Sequence, residues 1–205
     1  STTVGSIGGS VGSYGYMHLG SGATGLQFTN AFNQIYPYNP SSLSIRDNAI
    51  DLGSSLSRFK DLYLSGGAYI GGTGSANKLD DYEEGTFTPT FARSGTAPVY
   101  GTSAANGRYT KIGNVVHIQI LIVVNSVTTS GSGNLLVGGL PFSHGGSSYS
   151  GVLNVGYNDT FDAAIKDCYA SGSSLQFIPT GITQTNYGGV LSTGYLGVSG
   201  TYIST

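Results

Sequence analysis

An apolar–polar–apolar triplet recurs through the first third of the chain and sets the tightest limit on how it folds. Met17-His18-Leu19, Leu26-Gln27-Phe28, Ile35-Tyr36-Pro37, Leu43-Ser44-Ile45 and Ile50-Asp51-Leu52 begin at intervals of nine, nine, eight and seven residues. Leu62-Tyr63-Leu64 and Tyr69-Ile70 continue the series, with Gly, Ser, Asn and Asp between them. Alternation with a period of two is the mark of a strand, since successive side chains point to opposite faces. Each strand holds only about three to five residues, short against the usual five or six. Units this small bury their apolar edge only against neighbours. One copy cannot enclose its own Leu and Ile, so the expectation is a fibrous shaft of intertwined chains. A Gly/Ser-rich flexible linker is the competing reading, and regularly placed Leu and Ile argue against it.

Composition points the same way. Gly supplies 34 of 205 residues and only 9% are charged, against an ordinary quarter. Ser, Thr, Gly, Val, Ile and Tyr dominate, which predicts an all-β chain with many turns. A net charge of -2 offers no electrostatic attraction to nucleic acid. The longest apolar run, Val115 to Val124, is interrupted by His117 and Gln119 and is too short for a membrane-spanning helix. It reads as a buried strand, and no membrane insertion is expected. Cys168 is the sole cysteine, so no intrachain disulfide can form. Its alternating surroundings predict a small buried apolar residue. The pattern is already running at Ser1, which suggests a piece of a longer protein.

The expected organisation is a Gly-rich shaft over residues 1–78 and a β-sandwich head, jelly-roll-like, over 79–205. Within the shaft, Pro37 and Pro40 of YPYNP lack the N–H of a ladder and predict a surface bend. Leu56, Phe59 and Leu62 recur at three-residue spacing and predict one helical turn. Asp80, Asp81, Glu83 and Glu84 form a collar of acids. Calcium wants six to eight oxygens, and the spacing is not that of an EF-hand, so solvated linker acids, or ion pairs to Lys78 and Arg93 across chains, are expected instead. In the head, Gly113-Asn114 predicts a hairpin turn into the long strand from Val115. One face of that strand is wholly apolar, and the second turns apolar at Leu121 and Val123. The ASGSS stretch at 170–174 predicts another hairpin. Turns every eight to twelve residues fit a sandwich.

Catalytic signatures are missing: there is no G-x-S-x-G, H-E-x-x-H, phosphate-binding loop or C-x-x-C. Asp159 and Asp162 make the best carboxylate pair for glycosidic hydrolysis. The same segment also reads as a helical turn with Asp159 near its N-terminus. His18, His117 and His144 are scattered over different elements and suggest no metal site. No cofactor is expected.

Two phrases resemble a known family. LGSSLSRFKDLYLSGGAYIGG resembles the shaft motif of phage tail fibres and tailspikes, and DDYEEGTFTPTF with GRYTKIGNVVHIQILI is similar to the entry of their distal head. The resemblance implies a homotrimeric, extracellular virion appendage that joins other tail proteins through its N-terminal side. It implies a head that contacts the host surface. On that reading the ligand is a host polysaccharide or lipopolysaccharide, bound without chemistry. Tyr offers a flat apolar face to a sugar ring and a hydroxyl to its edge. The candidate contacts are therefore Tyr149, Tyr157 with Asn158 and Asp159, and Tyr187 with Gln184 and Asn186. The rivals are a tailspike that cleaves its polysaccharide and a structural fibre that binds only virion proteins.

Overall fold

A computed structural model describes residues 5–10, 15–145, 151–160, 165–179 and 191–205. The described chain is built of strands, with one 3-10 turn at Ser75–Asn77 and no α-helix. It divides into two compact units, Ser1–Tyr63 and Leu64–Thr205. No helix among the described residues is long and apolar enough to cross a membrane.

The first unit is an antiparallel meander of β1 (Ser6–Ser10), β2 (Tyr16–Ser21), β3 (Thr24–Thr29), β4 (Gln34–Asn39) and β5 (Ser44–Ile45). Residues paired across antiparallel strands share a face. The registers therefore align Ile7, Leu19, Leu26 and Pro37 in one row, and Met17, Phe28 and Ile35 in the next. This apolar face is the uncovered one: Ile7, Met17, Leu19, Leu26 and Ile35 are between 40% and 76% exposed. The middles of the first two triplets, His18 and Gln27, point the other way and are buried. His18 lies between Tyr16 and Tyr38, with ring centroids 6.1 and 5.1 Å away, and Gln27 is buried beside them. Among the described residues the His18 Nδ1 atom has no hydrogen-bond partner. Polar side in and hydrocarbon side out is the reverse of an ordinary half-buried sheet.

Three expectations for this stretch are corrected. Ile50-Asp51-Leu52 and Leu62-Tyr63-Leu64 are not strands, because no neighbouring strand pairs with them between Ile45 and Ala68. YPYNP is strand rather than bend up to Asn39, and Tyr38 is among the most buried residues. Pro37 is tolerated because its carbonyl, and hence its missing N–H, faces the β5 side, where the carbonyl accepts the Arg46 N–H at 2.9 Å. The helical turn at 56–62 does not form. Ser54 and Ser57 exchange backbone hydrogen bonds of 2.9 and 3.3 Å, and the Ser54 Oγ accepts the N–H groups of Leu56 and Ser57. A serine-closed turn is cheaper than nucleating a lone helical turn. Leu56 is left 96% exposed, and Leu52, Phe59 and Leu62 are also uncovered.

The second unit opens with the short pair β6 (Ala68–Tyr69) and β7 (Lys78–Leu79). Then come β8 (Tyr82–Phe87), β9 (Thr90–Arg93), β10 (Val99–Ile112), β11 (Val115–Thr129), β12 (Leu135–Gly138), β13 (Val152–Asn158), β14 (Ile165–Ser171), β15 (Ser174–Pro179) and β16 (Gly194–Ile203). They form one antiparallel sheet in the order β8-β10-β11-β16-β13-β14-β15-β12-β9. Its two edge strands are joined by Thr88-Pro89 alone, so the sheet must curl back on itself. The result is sandwich-like, with the inner faces packed together.

Val116, Ile118, Ile120, Ile122 and Val124 of β11 form the spine of the core. Leu153, Cys168, Leu175, Phe177, Leu196, Val198 and Tyr202 close around them. The second face of β11 departs from expectation, because Leu121 is exposed and Val123 only half-buried. Both foreseen hairpins form. Gly113 (φ +59°) and Gly172 (φ +55°) each take the first place of a two-residue loop, where a positive φ is needed. Tyr202 donates its hydroxyl hydrogen to the Phe142 carbonyl at 2.8 Å.

The collar acids are engaged one by one rather than gathered. Asp80 pairs with Lys78 at 3.0 Å, Asp81 with the buried Lys111, and Glu83 accepts the Tyr109 hydroxyl. Lys78 holds the Asp80 carboxyl below its usual range, first by hydrogen bond and then by charge. Arg93 goes elsewhere: it is buried in the core and donates to the Gly133 carbonyl at 2.9 Å. Among the described residues no three His, Cys, Asp or Glu side chains are grouped to hold a metal ion.

Candidate functional site

Alternate residues of β8, β10, β11, β16, β13 and β14 face away from the core. The registers place Thr86, Arg108, Gln119, Ser199, Asn154 and Asp167 side by side in a row crossing six strands. At a strand spacing near 4.8 Å that row is about 24 Å long. A parallel row runs Glu84, Thr110, His117 and Thr201, and another runs Asn106, Leu121, Gly197 and Tyr157. Hydroxyls and amides thus make up much of this surface.

Two hollows open on this face. One, of about 530 Å³, is bordered by Glu84, Thr86, Arg108, Tyr109, His117 and Gln119. The other, of about 580 Å³, is bordered by Thr86, Asn106, Gly107, Arg108, Gln119 and Leu121. Thr86, Arg108 and Gln119 belong to both. Arg108 forms no ion pair among the described residues. Glu84, at the far end of the first hollow, accepts the Tyr82 hydroxyl at 3.2 Å, and that bond raises the Tyr82 phenol above its usual range. The His117 Nδ1 lies 3.4 Å from the Thr201 hydroxyl. A further hollow, of about 600 Å³, lies in the first unit against Met17, Phe28 and Ile35. It belongs to the uncovered apolar face and gathers no charged group.

Of the residues singled out from the sequence, Tyr149, Gln184, Asn186 and Tyr187 lie outside the described residues, as does Asp162. Tyr157, at 58% exposure, meets Tyr195, at 49%, edge to face with centroids 6.1 Å apart. Asn158 accepts the Thr160 hydroxyl at 3.4 Å. Asp159 acts as a latch. Its carboxylate accepts the Tyr195 N–H, its own N–H donates to the Tyr195 carbonyl at 3.1 Å, and its carbonyl accepts the Ser192 hydroxyl. Asp159 is therefore spent on joining the end of β13 to the start of β16.

Tyr195, Arg108 and Gln119 were not singled out. The alternation of GRYTKI and VVHIQI carries a signal for the last two, because the positions between core residues are all hydrogen-bonding. For Tyr195 the signal is tertiary: its neighbour Tyr157 is 38 residues away in sequence.

No protein family, characterised protein or solved structure matches this chain.

Proposed function

We propose that the chain is the distal part of a homotrimeric phage tail fibre, a shaft followed by a jelly-roll-like head that attaches the virion to its host by binding a surface glycan or lipopolysaccharide. The observation that carries this reading is the uncovered hydrocarbon of the first unit. Its backbone is paired strand to strand, yet Ile7, Met17, Leu19, Leu26 and Ile35 face outward, and Leu52, Leu56, Phe59 and Leu62 follow them. An apolar surface of this extent calls for a partner. Further copies of the same chain supply one with matching rows, and a closed symmetric assembly leaves no copy unsatisfied. The second unit needs no such help, since its core is enclosed.

Three linked heads bind a repetitive surface far more tightly than one, so each site can be weak. The outer face, with its Tyr pair, hydroxyls and amides, suits a sugar chain. The test is adsorption: the purified protein, trimeric by sedimentation equilibrium, should block attachment of the parent virion to host cells. A monomer, or a trimer that leaves adsorption unchanged, removes the reading.

A further inference from the structure

The second hollow on the outer face contains a single charged group, Arg108, set among Thr86, Asn106, Gln119 and Leu121. Three other cations of the unit are taken: Lys111 by Asp81, Lys78 by Asp80, and Arg93 by the core and the Gly133 carbonyl. Arg108 stands on the open sheet face with no carboxylate within ion-pair distance among the described residues. An exposed Arg flanked by an amide and a hydroxyl on the neighbouring strands presents donors that match a carboxylate, which guanidinium binds through two parallel hydrogen bonds.

The Tyr157–Tyr195 pair lies on the same outer face. Tyr157 is one row beyond and three strands across, about 16 Å from Arg108 at normal strand spacing and rise. Between them the surface is Gln119, Leu121, Ser199 and Gly197, and Gly197 has no side chain to obstruct a ligand. A single sugar cannot reach both ends. An extended chain can.

We infer that this face binds an acidic oligosaccharide, a glycan carrying carboxylate groups, with one carboxylate on Arg108 and Gln119 and a neighbouring sugar ring against Tyr157 and Tyr195. The inference rests on the attachment reading and narrows its ligand to carboxylated glycans. Asp167 at one end of the row and Glu84 in the other hollow repel such a ligand, so it is confined to the stretch between β10 and β13.

The test uses the whole protein, oligogalacturonate and oligosialic acid as probes, and neutral dextran oligomers as the comparison, by titration calorimetry. Binding of a carboxylated probe with no binding of dextran is the expected result. Arg108→Ala should weaken it about 10- to 100-fold, as loss of a charged hydrogen-bonding pair does, and Arg108→Lys should recover only part. Tyr195→Ala should weaken it without abolishing it. Sedimentation of each variant must match the parent; if Arg108→Ala alters assembly, the face is a contact between copies and the inference is wrong. Equal affinity of Arg108→Ala and parent, preference for dextran, or no binding of either acidic probe overturns it as well. Adsorption separates the two readings. If Arg108→Ala still blocks virion attachment as well as the parent protein, the attachment role stands and this site does not.

Discussion

At the scale of single residues, Cys168 and Tyr202 in the core titrate only in alkali. Burial, and then the charge of Asp167, pushes the Cys168 thiol up to about 12, and burial pushes the Tyr202 phenol up to about 12. Both groups are neutral in the folded chain and ionise earlier when it unfolds. Their stabilisation is therefore complete below the unfolded values, near 9 and 10, and is lost as pH rises toward 12. Each group contributes a slope of up to about 1.4 kcal/mol per pH unit in that window. Urea midpoints measured from pH 7 to pH 11 should stay flat to about 9 and then fall. Tyr202→Phe should cost about 1 kcal/mol at pH 7, because the Phe142 carbonyl loses its donor, and should flatten part of the alkaline fall. In the native state Cys168 should resist a thiol reagent at pH 8 and react once urea exposes it. The burial of Cys168 was readable from alternation. The Asp159 latch was not, because the N–H it accepts belongs to Tyr195, 36 residues on.

At the scale of elements, local chemistry fixes the turns and little else. Gly113 and Gly172 sit at positive φ with nothing near the space a Cβ would take, so a side chain there is strained by its backbone alone. Gly113→Val should cost about 1–2 kcal/mol and lower the melting temperature by roughly 3–8 °C, measured by circular dichroism. Gly107 differs, because the Phe87 ring covers it and a Cβ would fall 2.5 Å from the ring. Gly107→Val should destabilise by displacing Phe87 even though the backbone there is unstrained. Both hairpins were legible as Gly followed by Asn or Ser between alternating runs. The pairing of β16 between β11 and β13 was not, since it joins strands far apart in sequence. The expected helical turn at 56–62 failed because three-residue spacing of Leu and Phe describes a helix face only where something packs on it.

At the scale of the whole molecule, the two units make different demands. Residues 64–205 enclose their own core and should unfold in one cooperative transition when expressed alone, by urea titration. The first unit should depend on other copies. Leu19→Asp with Leu26→Asp puts two charges on its open apolar face while leaving His18, Gln27 and Tyr38 untouched. That variant should sediment as separate chains, with the transition of the second unit unchanged; a variant that keeps the parent's mass would show that the face is not where copies meet.

What the sequence determined by itself is periodic and local: strands rather than helices, the glycine turns, and the division between a hydrocarbon side and a polar side along a strand. Which side turns inward was decided only in three dimensions. Period-two alternation marks two faces without saying which one meets protein, because that depends on what distant strands, or other chains, bring against it. In the second unit the apolar face won, since a curled nine-stranded sheet can cover it. In the first unit a five-stranded meander cannot, so the chain folds the aromatic and amide side upon itself and leaves its hydrocarbon outward.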